Sequence, residues 1–382
     1  MALELFLLLA LVRLGRGYVR KSLLHLHTAH PKPSEPEEQF PRVALIIPLT
    51  GRTPEMQGCL ETLLHQQYPD YEIIMVTRDR QDPATALVRE ILPAAPKARH
   101  VLSGPASGCG QKNHNLLAGV AAVGPSVPVL VFCDSAHRAS PDFLRDLVRP
   151  IMTGEAHLTT CFHRVIPGDY RLATLGMVGT VLGIQLLQGI KPLAQPWGGA
   201  MAMPRTVFAA HGVARLWAQT VVDDVSLVPV LTRAGIKVHT VPGATLATLL
   251  AGQTWAGWVS WLTRQLLFVK FCLPGTWLLA TPAALLGGGP ILLAGCSILG
   301  SLGGVAPWHL GLAGLGFLIG LTAVGVWVRA LVPQAIPLAR WIAAFYALLL
   351  VTSWCYLKTW FTNSISWRGI SYRVTWGGRV KG

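Results

Sequence analysis

Acidic residues stop at Asp224: the 158 residues beyond it hold no Asp or Glu, although eleven of them are Lys or Arg. Charge is scarce throughout, at 13% of residues against 52% hydrophobic, where ordinary globular proteins carry about 25% charged residues. That balance excludes a disordered chain and argues against a purely soluble one. The excess of 32 Lys and Arg over 18 Asp and Glu suits a protein lying against anionic lipid headgroups. Nucleic acid is the weaker explanation and is not expected as a partner, because the late cations punctuate apolar runs and form no dense patch. The seven cysteines show no CxxC or Cys/His spacing, which leaves no zinc motif and reads as free thiols in a reducing compartment. Neither a GxGxxG nor a P-loop motif occurs, so a dinucleotide fold and a P-loop nucleotidase lose their signatures.

Long uncharged runs are present instead. From Phe271 to Val328 there are 58 residues without formal charge, enough for two spans or three short ones at about 20 residues each. Gly287-Gly288-Gly289-Pro290 marks one expected break and Gly303 to Pro307 another. A second run, Trp341 to Leu357, lies between Arg340 and Lys358 with aromatic residues near its ends, as interfacial anchors do. Counting positive charge favours an even number of crossings, three before Arg329 and one after, or a re-entrant segment, so that the basic tail ends beside Lys270. At the N-terminus, Leu5 to Val12 followed by Arg13, Arg16, Arg20 and Lys21 reads as a shortened anchor helix with a cytoplasmic basic flank.

The first half alternates strand-like and helix-like segments. Arg42 to Pro48, Tyr71 to Thr77, His100 to Leu102, Val127 to Cys133 and His157 to Phe162 read as strands. Between them, Leu60, Leu63 and Leu64, then Leu87, Ile91 and Leu92, then Leu116, Val120 and Val123 recur at helical spacing. This is the α/β pattern of a mostly parallel sheet covered on both faces, whose ligands bind beyond the carboxyl ends of the strands. Those ends run into Leu49-Thr50-Gly51, into Asp79 and Asp82, and into Cys133-Asp134-Ser135-Ala136. An apolar strand that turns abruptly to carboxylate at Asp134 offers an oxygen ligand for a metal or a metal–phosphate complex, or else a helix N-cap. Gly108 to Lys112 precedes a helix and either cradles phosphate or forms a turn.

In this order, the residues resemble membrane glycosyltransferases of the family 2 type, and among them the ceramide glucosyltransferase-like branch (family 21) that includes hopanoid-pathway enzymes. Asp79-Arg80-Gln81-Asp82-Pro83-Ala84 is similar to the first aspartate motif, Lys112-Asn113-His114-Asn115-Leu116 to a Lys-x-x-Asn-Leu element, Cys133-Asp134-Ser135-Ala136 to the second aspartate motif and Asp223-Asp224 to the third. The resemblance implies a glycosyltransferase A-like nucleotide-sugar domain followed by transmembrane helices. It also implies that Asp79 or Asp82 contacts the nucleoside, Lys112 lies near the donor, Asp134 binds a divalent metal (Mg or Mn) bridging the diphosphate, and Asp224 is the catalytic base. Gly198 and Gly199, following Pro196-Trp197, would let backbone approach the sugar, or simply bend a strand. His163 is a candidate for holding acceptor or donor.

The family's Gln/Arg-x-x-Arg-Trp element is degenerate here. Its best register is Gly257-Trp258-Val259-Ser260-Trp261, in which the tryptophan alone survives. Arg264, one turn beyond Ser260, either supplies the missing cation to the diphosphate or snorkels to headgroups. Trp255, Trp258 and Trp261, three apart, suggest a surface helix whose Trp258 and Trp261 meet the lipid acceptor. Ser366 to Arg373 resembles a W-R-G-x-x-Y-R tail of these enzymes and is expected near the bilayer. The expected organisation is an anchor with its flank (1–27), a linker (28–40), a cytoplasmic glycosyltransferase domain (41–250), an interfacial helix (251–270), transmembrane helices (271–360) and a basic tail (361–382). The expected activity is inverting, metal-dependent transfer of a hexose from a UDP-sugar, UDP-glucose foremost, to a hydroxyl of a membrane lipid such as ceramide, diacylglycerol or a hopanoid, at a bacterial inner membrane. A processive polysaccharide synthase and an inactive scaffold are the rivals.

Overall fold

The structure, a computed structural model, describes residues 1–27 and 40–381, so most of the expected linker lies outside the described residues. The strands, in chain order, are β1 (Val43–Pro48), β2 (Tyr71–Thr77), β3 (Ala98–Leu102), β4 (Val129–Cys133), β5 (Thr159–Thr160), β6 (His163–Pro167), β7 (Ala200–Pro204), β8 (His239–Thr240), β9 (Leu246–Leu250), β10 (Ser364–Trp367), β11 (Ile370–Thr375) and β12 (Arg379–Val380). Seven form one sheet in the order β3-β2-β1-β4-β7-β5-β8. β1 to β4 run parallel, and β7 is antiparallel to both β4 and β5. β6 and β9 make a separate parallel pair.

Strand alternation builds two cores from the same strands. Leu45, Ile47, Ile73, Met75 and Val131 face one side with Leu60, Leu63, Leu87 and Val88. Ala44, Ile46, Ile74, Val76 and Phe132 face the other with Leu116, Phe208 and Trp217. A sheet buried on both faces needs such apolar runs. The helix Gln111–Ala122 lies close on the sheet because Gly119 has no side chain: a Cβ there would stand 2.4 Å from Ile46. That approach sets the helix N-terminus, and Lys112 with it, beside the carboxyl ends of β1 and β4.

Among the described residues three helices are long and apolar enough to cross a membrane by length and composition: Pro274–Leu302, Trp308–Arg329 and Leu338–Trp360. Two, not three, precede Arg329. Gly287 to Pro290 does not break the first, because its glycines are contact points for a neighbouring helix: a Cβ on Gly288 would lie 3.0 Å from Ser353 Oγ. The first two helices pair as a hairpin, Gly314 against Ala294, and present Leu292, Leu299, Val305 and Ile319 outward.

Leu338–Trp360 is tied to the α/β half at both ends. Ahead of it, Tyr170 Oη donates to the Ala335 carbonyl at 3.1 Å; beyond it, Lys270 Nζ donates to the Thr362 carbonyl and Asn363 Oδ1, each at 3.1 Å. The tail then returns onto the α/β domain, the Val221 N–H donating to the Gly378 carbonyl at 2.9 Å. Both ends of the segment from Cys272 to Ser364 thus meet beside the α/β domain, and Leu338–Trp360 packs against Leu172–Gln188 and Trp255–Cys272. In a Cys296→Ser background, the other cysteines being buried, cysteines placed at Arg80 and Lys381 should react with an impermeant maleimide from the same face of sealed vesicles. Labelling from opposite faces would mean three crossings.

Leu5 to Val12 and the basic residues that follow lie in one helix, Ala2–His27. It packs along Leu172–Gln188, where Gly15 lies so near Leu186 that a Cβ would stand 2.3 Å from its carbonyl oxygen.

Candidate active site

Four segments meet at the carboxyl end of the sheet: the end of β4, the start of Gln111–Ala122, the turn Trp197-Gly198-Gly199 before β7, and Asp223-Asp224. Lys112 Nζ is their hub. It lies 2.8 Å from Asp134 Oδ1 and 3.1 Å from Asp223 Oδ2 and donates to the Gly198 carbonyl at 2.9 Å. The Gly198 N–H in turn donates to Asp224 Oδ2 at 2.8 Å, and Asp224 Oδ1 accepts from the Val225 N–H at 2.6 Å. Asp134 and Asp224 thus face one cleft, linked through Lys112 and the single residue Gly198. Gly198 is fixed by sterics: a Cβ there would lie 2.5 Å from Asp223 Oδ2 and 2.8 Å from Lys112 Nζ. Gly199 closes the turn on β4, its carbonyl accepting from the Asp134 N–H at 3.0 Å.

The three carboxylates differ in environment. Asp223 is buried at 1% exposure, so its charge depends on Lys112. Asp134 keeps 36% of its side chain open. Asp224 is half-buried; burial first, and then Asp223, push its carboxyl up to about 6 against the pull of Lys112 and two N–H donors. A carboxylate with that pKa is a stronger base near neutrality than an ordinary one. Burial disfavours the Lys112 ammonium, but Asp134, Asp223 and Asp224 outweigh it and hold its pKa above the usual lysine value.

The profile of glycosyl transferase family 21 matches residues 6–380, which takes in every residue of this cleft. The chain belongs to that family. As a family 21 glycosyltransferase, it is 23% identical over 219 residues to "Ceramide glucosyltransferase 1" of Caenorhabditis elegans, a match covering 53% of this chain and 44% of that protein. Its fold is similar to that of a mannosyltransferase from Pyrobaculum calidifontis solved with GDP-Man and Mn2+, at a TM-score of 0.53 and 17% identity, over 89% of this chain and 96% of the other.

No three His, Cys, Asp or Glu side chains gather as metal ligands among the described residues. A divalent ion fits this cleft in one mode: Asp134, the most open of the three carboxylates, with the donor's phosphate oxygens completing the shell, as Mg2+ binds with one or two carboxylates plus phosphates.

Of the nucleoside-side candidates, Asp82 is buried and spent on architecture. Its Oδ1 accepts from the Gly51 N–H at 2.8 Å and the Ala84 N–H at 2.9 Å, joining the end of β1 to a helix start. Asp79 Oδ1 accepts from the Gln81 and Asp82 N–H groups and its Oδ2 pairs with Arg78 Nε at 2.6 Å; that last bond leads the causes holding its pKa below the usual value.

His163 belongs to a wall of the cleft. It stacks on Trp197, ring centroids 4.9 Å apart and 14° from parallel, and the Thr248 hydroxyl lies 2.7 Å from both its Nδ1 and that of His137. Burial drives both imidazoles down, His137 to about 3 with Lys112 adding to it, so both are neutral. Trp258 lies in the helix packing away from the cleft: it is fully buried, its ring fills the space left by Gly176, and its Nε1 donates to Thr180 Oγ1 at 3.0 Å. Trp261 is part-buried beside it, and Arg264 is half-buried on the same helix.

Sequence reading missed the ion pair of Asp223 with Lys112 and the His137–Thr248–His163 bridge. The adjacent acids at 223 and 224 were a signal for the first; nothing in the spacing of residues 137, 163 and 248 signalled the second.

Proposed function

We propose that this glycosyltransferase moves a hexose, glucose from UDP-glucose, to the hydroxyl of a membrane lipid with inversion at the anomeric carbon. The observation carrying it is the convergence of Asp134, Lys112 and Asp224 on Gly198 beside helices able to enter a membrane. The curated relative named a ceramide glucosyltransferase supports a sphingolipid-like acceptor, and the mannosyltransferase solved with GDP-Man and Mn2+ supports a nucleotide-sugar donor with a divalent ion.

In this reading Asp224 takes the proton of the acceptor hydroxyl as its oxygen bonds to the anomeric carbon; the bond to the diphosphate breaks and the nucleoside diphosphate leaves. Lys112 fixes Asp134 and Asp223 and keeps a positive charge beside the leaving phosphates. A metal held by Asp134 would supply charge neutralisation there when bound. The fused helices have a physical purpose, since a lipid hydroxyl at headgroup depth reaches a cleft held against the bilayer. A cytoplasmic face of a bacterial inner membrane completes the proposal.

The test supplies the full-length chain in mixed-lipid vesicles with labelled UDP-glucose and Mg2+ or Mn2+. Label is expected in the lipid phase, one UDP released per transfer, with loss on chelation. Label in a water-soluble polymer would favour a processive synthase, and no transfer from any nucleotide sugar would favour a scaffold.

A further inference from the structure

The tail motif Trp367-Arg368-Gly369 is not used by the site above, yet the fold brings it there. β10 and β11 pair with Trp367 opposite Ile370, a two-residue hairpin turn with positive φ at both central residues, 49° at Arg368 and 80° at Gly369. Such turns favour Asn or Gly at the first position, and a long side chain in the left-handed region is uncommon. Among the described residues Arg368 is the one non-glycine with positive φ.

The hairpin is held in place. Tyr372 Oη accepts from the Gln111 N–H, next to Lys112, at 3.2 Å. The Val221 N–H reaches the Gly378 carbonyl at 2.9 Å, the Val380 N–H the Gln219 carbonyl at 3.0 Å and the Gly377 N–H the Phe271 carbonyl at 2.8 Å. The tail therefore clasps the segment leading into Asp223-Asp224 and the start of the Lys112 helix. At the turn's tip Arg368 reaches the end of β1, where a Cβ on Gly51 would lie 3.8 Å from its Nη1. Arg264 stands near enough that, after burial, Arg368 is the next cause lowering its pKa. Among the described residues neither guanidinium pairs with a carboxylate. A guanidinium at the end of β1 without a carboxylate partner is placed to meet an anion.

Sheet order fixes which anion. β2, β1 and β4 are neighbours, and strands lie about 4.8 Å apart. Asp79 beyond β2, Gly51 beyond β1 and Asp134 beyond β4 form a row in strand order, from the proposed nucleoside side to the proposed phosphate side. Arg368 stands at its middle. We propose that the C-terminal hairpin is part of the donor site, Arg368 with Arg264 gripping the diphosphate of the sugar nucleotide and filling the place of the lost Gln/Arg-x-x-Arg-Trp arginine. This rests on the donor being a nucleoside diphosphate sugar.

Calorimetric titration of the detergent-solubilised full chain with UDP, GDP and uridine, in Mn2+, tests it. Arg368→Ala should weaken UDP binding at least tenfold and leave uridine binding unchanged, with Arg368→Lys intermediate. Arg368→Gly removes the strained side chain, so its Tm should equal or exceed that of wild type while UDP binding falls as in Arg368→Ala. UDP binding within twofold of wild type in both Arg368→Ala and Arg368→Gly overturns the inference and leaves the proposed function standing. Wild type binding neither UDP nor GDP overturns both.

Discussion

Asp224→Asn should lower turnover by about 10² to 10⁴, the usual range for losing a general base, while donor binding changes little. Asparagine keeps the shape but has one acceptor oxygen, so it retains one of the two N–H bonds, from Gly198 or Val225, that hold the aspartate; a lost rate at unchanged Tm then isolates proton transfer. The pH profile is a second readout. The Asp224 carboxyl, raised to about 6 by burial and by Asp223, must be ionised to act. Wild-type kcat/KM should be flat above that value and fall about tenfold per unit below it. The residual rate of Asp224→Asn should lack this limb. A variant with wild-type turnover would remove Asp224 from the chemistry and the proposed mechanism with it.

Lys112→Met should cost about 3 kcal/mol of stability, since breaking a buried ion pair from one side strands the other charge. Asp223, with 2% of its side chain exposed, is the stranded group, and burial already raises its pKa. The sign with pH follows. Without the ammonium, the folded-state pKa of Asp223 rises further above the unfolded value of about 3.9. The penalty is then full above the raised pKa and fades as pH falls and the carboxyl takes up a proton. Thermal unfolding of the solubilised chain across pH should show wild type and variant converging in acid. The double variant Lys112→Met/Asp223→Asn should recover most of the stability and none of the activity, because Asp134 and the leaving phosphates still lack their cation. Equal Tm values for Lys112→Met and wild type at every pH would show that the pair is not buried as described.

Where periodicity and composition carry the information, the sequence was easily read. β2 falls at Tyr71–Thr77 as expected, and β1 and β4 within two residues of expectation, because fully buried parallel strands must be continuously apolar. β7 was missed as a strand: Ala200–Pro204, with two alanines and two methionines, has weak β-propensity, and its place between β4 and β5 is a tertiary outcome. Gly287 to Pro290 was misread as a break because glycine and proline punctuate soluble helices, whereas here the missing side chains admit a neighbouring helix.

The sequence by itself determined that an acid-bearing α/β half is joined to uncharged helices, since hydrophobic periodicity and charge count are properties of the chain alone. It also singled out Asp134, because a carboxylate at the end of an apolar run marks a sheet's rim, while Lys112 and Asp223-Asp224 stood out by their resemblance to family motifs. Tertiary structure decided that Asp223 neutralises Lys112 while Asp224 faces the cleft, two neighbouring aspartates made unlike by burial. It also decided that Trp258 is packing and that a tail more than a hundred residues downstream closes on the Lys112 helix. Those outcomes depend on which backbones approach one another, and that distance is set by packing across the whole chain.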